Sequence, residues 1–134
     1  MTTNTARLKT FVDLMNEGKF DEARAMVSEK VVVREPQAIP YGGDHEGLDG
    51  FDTFRSIFAK TWKRWVDGPF WYAEADNTVV KYNTITATSR ATGRQYTTRL
   101  VELFTFEDGL IVEAVIFYQD VPEFLAAIRP DAAE

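Results

Sequence analysis

Two glutamates stand where an acid–base pair could be built. Glu35 closes the β-branched run Val31, Val32, Val33 and Arg34 and directly precedes Pro36, while Glu102 interrupts the apolar run Val101 to Phe106. Taking a carboxyl group out of water favours its neutral form, so a buried glutamic acid keeps a proton at a pH where a solvated one is ionised. A raised acid and an ionised base facing one hollow can move a proton next to a carbonyl. Each residue also has a plainer reading. Glu35 can be a solvated strand end, and Glu102 can lie on a solvated sheet face beside Arg99 or Lys81.

Other chemistries find fewer residues. The chain has no cysteine, which removes thiolate catalysis, disulfides and cysteine-ligated metals and fits a reducing cytoplasm. His45 is the only histidine and sits between Asp44 and Glu46. Three adjacent side chains converge on one ion only in a sharply turned loop, so no metal site and no cofactor are expected. The stretch "PYGG" lacks the spacing, lysine and hydroxyl residue of a phosphate loop. "DVPE" at Asp120 to Glu123 reads as a helix cap, with proline in the first turn and Glu123 at the third helical position. A net charge of -6 disfavours nucleic acid, anionic membrane and acidic substrates as partners. No basic leader is seen, nor a run near the roughly 18 apolar residues of a membrane span, so a soluble cytoplasmic protein is expected.

The 134 residues fit one domain, residues 1–134, with a frayed tail over about 129–134. Leu8, Phe11, Val12 and Met15 follow helical spacing and predict a helix from about Thr5 to Glu17. Phe20, Ala23, Met26 and Val27 repeat the pattern on a short second helix. Val31 to Arg34 reads as a strand, because a residue before proline prefers extended backbone. A turn-rich loop follows from Pro36 to Gly50. Phe51, Phe54, Ile57, Phe58, Thr61, Trp62 and Trp65 then predict a third, aromatic-faced helix that stops at Asp67 to Pro69.

Beyond it the period changes to two, with β-rich runs at Phe70 to Glu74, Thr78 to Ser89, Arg94 to Phe106 and Leu110 to Tyr118. A last helix spans Val121 to Ile128. Helices first and strands later predict an α+β domain: a curved, antiparallel-rich mixed sheet forming a cone, with the N-terminal helices over its concave face and an apolar pocket between. Ten Phe, five Tyr and three Trp are enough to fill a core and still line a cavity with rings. Strand parity puts Thr98, Leu100, Phe104 and Phe106 on the face that Glu102 takes. Phe54, Phe58 and Trp62 are the candidates for the opposite wall. Thr84, Thr86, Thr88, Thr97 and Thr98 read as one outer sheet side.

The order of these signals, "LMNEGKFDEARAMV", "VREP", "PYGG" leading to "EGLDGF", and "VELFTFEDGLIVEAVIFYQD", resembles the nuclear transport factor two-like superfamily in its SnoaL-like and ketosteroid-isomerase-like branch. The resemblance implies a small cofactor-free isomerase or polyketide cyclase, with Glu35 as general base and Glu102 as a protonated acid that hydrogen-bonds a developing enolate. It places Ala114, Ile116 and Tyr118 on the pocket face and His45 near its mouth, where a ring can shuttle a proton, although His45 also reads as a plain surface loop residue. Phe11 stands where the family has a tyrosine that donates to the enolate. Loss of such a donor typically costs about 2.7 to 4 kcal/mol of transition-state stabilisation, which Tyr118 or Tyr96 would have to supply. Arg99, Val101 and Phe117 at the matching strand positions argue against epoxide opening of the limonene-epoxide-hydrolase type.

The implied partner is a hydrophobic or aromatic small molecule. A homodimer through the outer sheet face is expected as well. The alternative is a non-catalytic pocket protein or dimerisation module in which both glutamates are incidental.

Overall fold

The structure, a computed structural model, describes residues 3–130. Four helices and six strands follow in the order α1 (Asn4–Asn16), α2 (Phe20–Arg24), β1 (Val27–Glu35), β2 (Gly43–Glu46), α3 (Gly47–Thr61), β3 (Trp62–Ala75), β4 (Thr78–Ser89), β5 (Gln95–Glu107), β6 (Leu110–Tyr118) and α4 (Val121–Ile128). The strands form one sheet in the order β2-β1-β6-β5-β4-β3. β3 to β6 are an antiparallel meander, and β1 joins it parallel to β6. This is the expected α+β fold with a mixed, cone-like sheet.

Helix α1 begins where the Thr3 side chain accepts from the Ala6 amide, satisfying a donor that the first turn leaves open. Its stripe buries Leu8 and Phe11 against the sheet. The run-off passes through Gly18 at φ 74°, a conformation cheap only without a Cβ. At the other end of the chain, Asp120 caps α4 as expected, its carboxylate accepting from the Glu123 amide at 3.0 Å. Phe124 of that helix is fully buried among Tyr41, Trp62, Tyr96 and Tyr118, with ring centroids 4.9–5.8 Å away, and so closes one end of the cone.

Three expectations are corrected. The second helix is shorter than expected, ending at Arg24, and Val27 already belongs to β1. The loop from Pro36 to Gly50 contains the edge strand β2, paired with β1 from Val32↔Glu46 to Glu35↔Gly43. The third helix ends at Thr61, so Trp62 and Trp65 lie on β3.

The last difference has a specific cause. A β-bulge between Trp62 and Arg64 inserts one residue, so Trp62 opposite Ser89 and Trp65 opposite Ala87 both face inward although three apart. A bulged strand thereby imitates helical spacing. A second irregularity between Asp67 and Phe70 spans Gly68, where a Cβ would lie 2.1 Å from Thr84 Oγ1.

On β4 the alternation is strict: Val79, Lys81, Asn83, Ile85, Ala87 and Ser89 are all buried, and the residues between them are half-buried. Thr98 is buried with Leu100, Phe104 and Phe106, and so leaves the outer threonine row. Thr86 and Thr97 remain on that row, hydrogen-bonded to each other. Of the expected frayed tail, 131–134 lie outside the described residues.

Candidate active site

Between the concave sheet face and α1–α3 lies a cavity of about 510 Å³. Phe11 of α1, Phe54 and Phe58 of α3, Trp62 of β3, Leu100 and Phe104 of β5, and Ala114, Ile116 and Tyr118 of β6 all line it, as do Glu35 and Glu102. His45 does not. It sits on β2 opposite Val33, with Nε2 2.8 Å from the Tyr41 carbonyl and its ring 5.9 Å from Phe54. That backbone contact takes the ring away from the rim that the resemblance implied. Tyr96 is also engaged elsewhere, donating its hydroxyl to the Asp120 carbonyl.

Both glutamates reach the cavity from neighbouring backbone. Glu102 lies opposite Ile116 on β6, while Arg34 on the far side of β6 is level with Val115. Glu35, one residue further on, therefore flanks Ile116 from the other side. The two backbones are two strand spacings apart, about 9.5 Å. A small planar group can lie between side chains that lean in from such positions.

Their surroundings differ sharply. Glu102 Oε1 is 3.3 Å from the ammonium of Lys81, which also touches Asn83 Oδ1 at 3.2 Å and lies 3.9 Å from Asp67 Oδ1. Lys81 is only 3% exposed. Asp67 is further held by the Asn83 amide at 3.1 Å and the Trp65 indole at 3.3 Å. Glu35 is 7% exposed, and its Oε1 has no hydrogen-bond partner in the protein.

Sequence reasoning paired Lys81 with Glu102 only on a solvated face. The pair exists inside the cavity, and the signal that could have found it was the phase of Lys81 with Val79, Ile85 and Ala87.

Electrostatics follow this geometry. Burial pushes the Glu35 carboxyl well above its ordinary value, and the charge on Glu102 pushes it further. Burial raises Glu102 too, but the charge and hydrogen bond of Lys81 pull it part of the way back, against a smaller upward push from Asp67. One proton in the pair thus belongs preferentially on Glu35.

A hydroxyl is available as well. The Trp62 indole donates to the Tyr41 hydroxyl at 2.9 Å, and the Tyr41 and Tyr118 hydroxyls are 2.7 Å apart. An indole N–H can only donate. Tyr41 is fully buried, so its own hydrogen is best satisfied on Tyr118. That order, Trp62 to Tyr41 to Tyr118, leaves the Tyr118 hydrogen free to donate within the cavity. Burial raises both phenols well above their ordinary range, so both stay protonated donors at neutral pH.

Tyr41→Phe strands the buried Trp62 N–H and should cost about 1 to 3 kcal/mol of stability. Urea midpoints would show it, and the double variant with Trp62→Phe should lose less than the sum of the two single losses because the two side chains share one interaction.

Among the described residues, no group of three or more His, Cys, Asp or Glu is arranged to hold a metal ion. None of their helices is long and apolar enough to cross a membrane.

A six-stranded mixed sheet curved around an apolar cavity and covered by N-terminal helices is the architecture of the NTF2-like proteins. Residues 8–114 match the SnoaL-like domain, and the chain belongs to that family. An NTF2-like protein of unknown function from Burkholderia pseudomallei is similar at a TM-score of 0.88 and 21% identity, over 97% of this chain and 100% of its own. A protein described as a candidate polyketide cyclase from Pseudomonas putida reaches 0.83 at 16% identity, over 96% and 100%. TerC, co-crystallised with polyporic acid, reaches 0.84 at 18%, over 94% and 98%. At these identities the likeness is one of fold. No curated protein matches the chain in sequence.

Proposed function

We propose that this protein is an acid–base enzyme of the isomerase or polyketide-cyclase kind, acting without a cofactor on a hydrophobic, carbonyl-containing small molecule. The observation that carries this is the asymmetric glutamate pair in one apolar cavity: Glu102 beside a buried lysine, Glu35 beside no cation. Glu102 is then the carboxylate that takes a proton from carbon. Glu35, neutral, and Tyr118 donate to the carbonyl oxygen as it gains charge. These roles reverse those implied by the resemblance, because Lys81 stabilises the ionised form of Glu102 and nothing does so for Glu35. Tyr118 supplies the donor that Phe11 lacks.

The neighbour described as a candidate polyketide cyclase, and TerC with its co-crystallised polyporic acid, support the substrate class. The test is deuterium exchange at the activated carbons of cyclic ketones in heavy water, followed by proton NMR. Protein-dependent exchange that disappears in Glu102→Gln supports the reading. Binding of the same ketones without exchange would make the protein a hydrophobic-ligand carrier.

We also propose a homodimer through the outer sheet face, where Val66, Trp71 and Phe117 are 42%, 54% and 52% exposed. Light scattering should give twice 15.3 kDa, and Trp71→Glu should shift the mass toward the monomer.

A further inference from the structure

The cavity is graded in charge. Its deep wall carries the glutamates among buried Val31, Val33, Leu100 and Ile116, whereas exposed Asn16, Phe20, Ala59, Lys63 and Arg64 mark its mouth. Half-buried Arg55 joins them from α3. Three cations therefore ring the opening of a chain whose net charge is -6.

Among the described residues, none of the three is in an ion pair. Asp67, the acid nearest in sequence to Lys63 and Arg64 on this wall, is already engaged with Asn83, Trp65 and Lys81. Arg55 is the most constrained of the set. Its guanidinium carbon lies 4.2 Å from the centroid of the Phe20 ring, and its Nε is buried with no hydrogen-bond partner. A buried guanidinium donor without an acceptor is costly, and a planar fork held over a ring is preorganised for a planar anion. Phe20, 40% exposed, offers an apolar surface at the same place.

We infer that the ligand is an amphiphilic acid, an apolar ring body with one carboxylate-like anionic group. The body fills the interior and reaches the glutamates. The anion stays at the mouth, bound by the Arg55 fork, with Lys63 and Arg64 adding attraction from the rim. The net charge of the chain disfavours acidic ligands over its surface as a whole, but local field at a cavity mouth is set by the groups that line it. The inference rests on the proposed reading of this cavity as the site, and not on the proton transfer itself.

Two probes with one ring system test it: 8-anilinonaphthalene-1-sulfonate and neutral N-phenyl-1-naphthylamine. Energy transfer from Trp62 and Trp65 in a Trp71→Phe background reports binding, and its weakening in Ala114→Phe, which narrows the cavity, separates entry from adsorption to the outer face. The otherwise unaltered protein should bind the anion at least about tenfold more tightly than the neutral probe, a preference that shrinks in about 1 M salt. Arg55→Gln should remove the preference and leave the neutral probe's affinity within about twofold, while Arg55→Lys retains part of it. Equal binding of both probes, failure of either to enter, or an Arg55→Gln loss shared equally by both overturns the inference. Glu35→Gln and Glu102→Gln should keep the preference while losing exchange activity, so failure of the proposed chemistry and failure of the mouth assignment are separately visible.

Discussion

Glu102→Gln lowers protein-dependent deuterium exchange by about 10² to 10⁴-fold, the usual worth of a positioned general base, while ligand affinity changes little. Glutamine keeps the shape and still fills the space beside Lys81, so the loss reports the missing carboxylate. Glu35→Gln behaves differently. Its amide N–H remains a donor toward a carbonyl oxygen, and an expected loss of about tenfold separates the acid from the base. If the two losses are exchanged, Glu35 is the base, and the assignment built on Lys81 fails.

The same variant carries a pH signature. Because the Glu35 carboxyl is raised in the folded protein, its contribution to stability is full below the ordinary value near 4.5 and is lost as pH rises toward the raised one. Over that window the protein as it stands should lose stability with pH, by at most about 1.4 kcal/mol per pH unit for this one group. Glu35→Gln has no proton to lose there, so urea midpoints measured from pH 4 to 8 should fall less steeply.

The sheet was legible because period-two patterns and turns agree. Thr78–Ser89, Leu110–Tyr118 and the α4 boundaries match the residues that alternate or cap. Of the cavity wall, Leu100 and Phe104 follow from parity with Glu102, Phe54 and Phe58 from helical spacing, and Ala114, Ile116 and Tyr118 only from the resemblance. What stayed hidden has local physical causes. The bulge at Trp62 gave a strand the spacing of a helix, and β2 is too short to show a period. Tyr41 lies in a turn-rich segment where propensity says nothing of burial, yet it joins Trp62 to Tyr118. Lysine is seldom buried without a partner, so sequence alone favours a solvated face for Lys81, whose partners come from strands on either side of it.

Lys81→Met should be the most damaging single substitution at the site, costing about 3 to 5 kcal/mol, because it removes the cation and leaves two carboxylates in a low-dielectric cavity. Glu102 and Asp67 have side chains only 18% and 13% exposed, so water replaces little of what the ammonium provides. Methionine matches the volume of the lysine stem, which separates the electrostatic loss from a cavity effect.

The sign with pH is fixed by the direction of the change. Lys81 lowers the Glu102 carboxyl, so its removal raises that group further in the folded state. A more strongly raised carboxyl is harmless while protonated and costly once the unfolded chain ionises. The deficit of Lys81→Met should therefore be small near pH 4 and grow toward pH 8. Adding Glu102→Gln should recover much of the loss at neutral pH, since one of the stranded charges is gone. Thermal unfolding of the two variants across that range would measure it. A deficit independent of pH, or one that Glu102→Gln leaves untouched, would mean that Lys81 acts by packing, and would remove the reason for assigning the ionised role to Glu102.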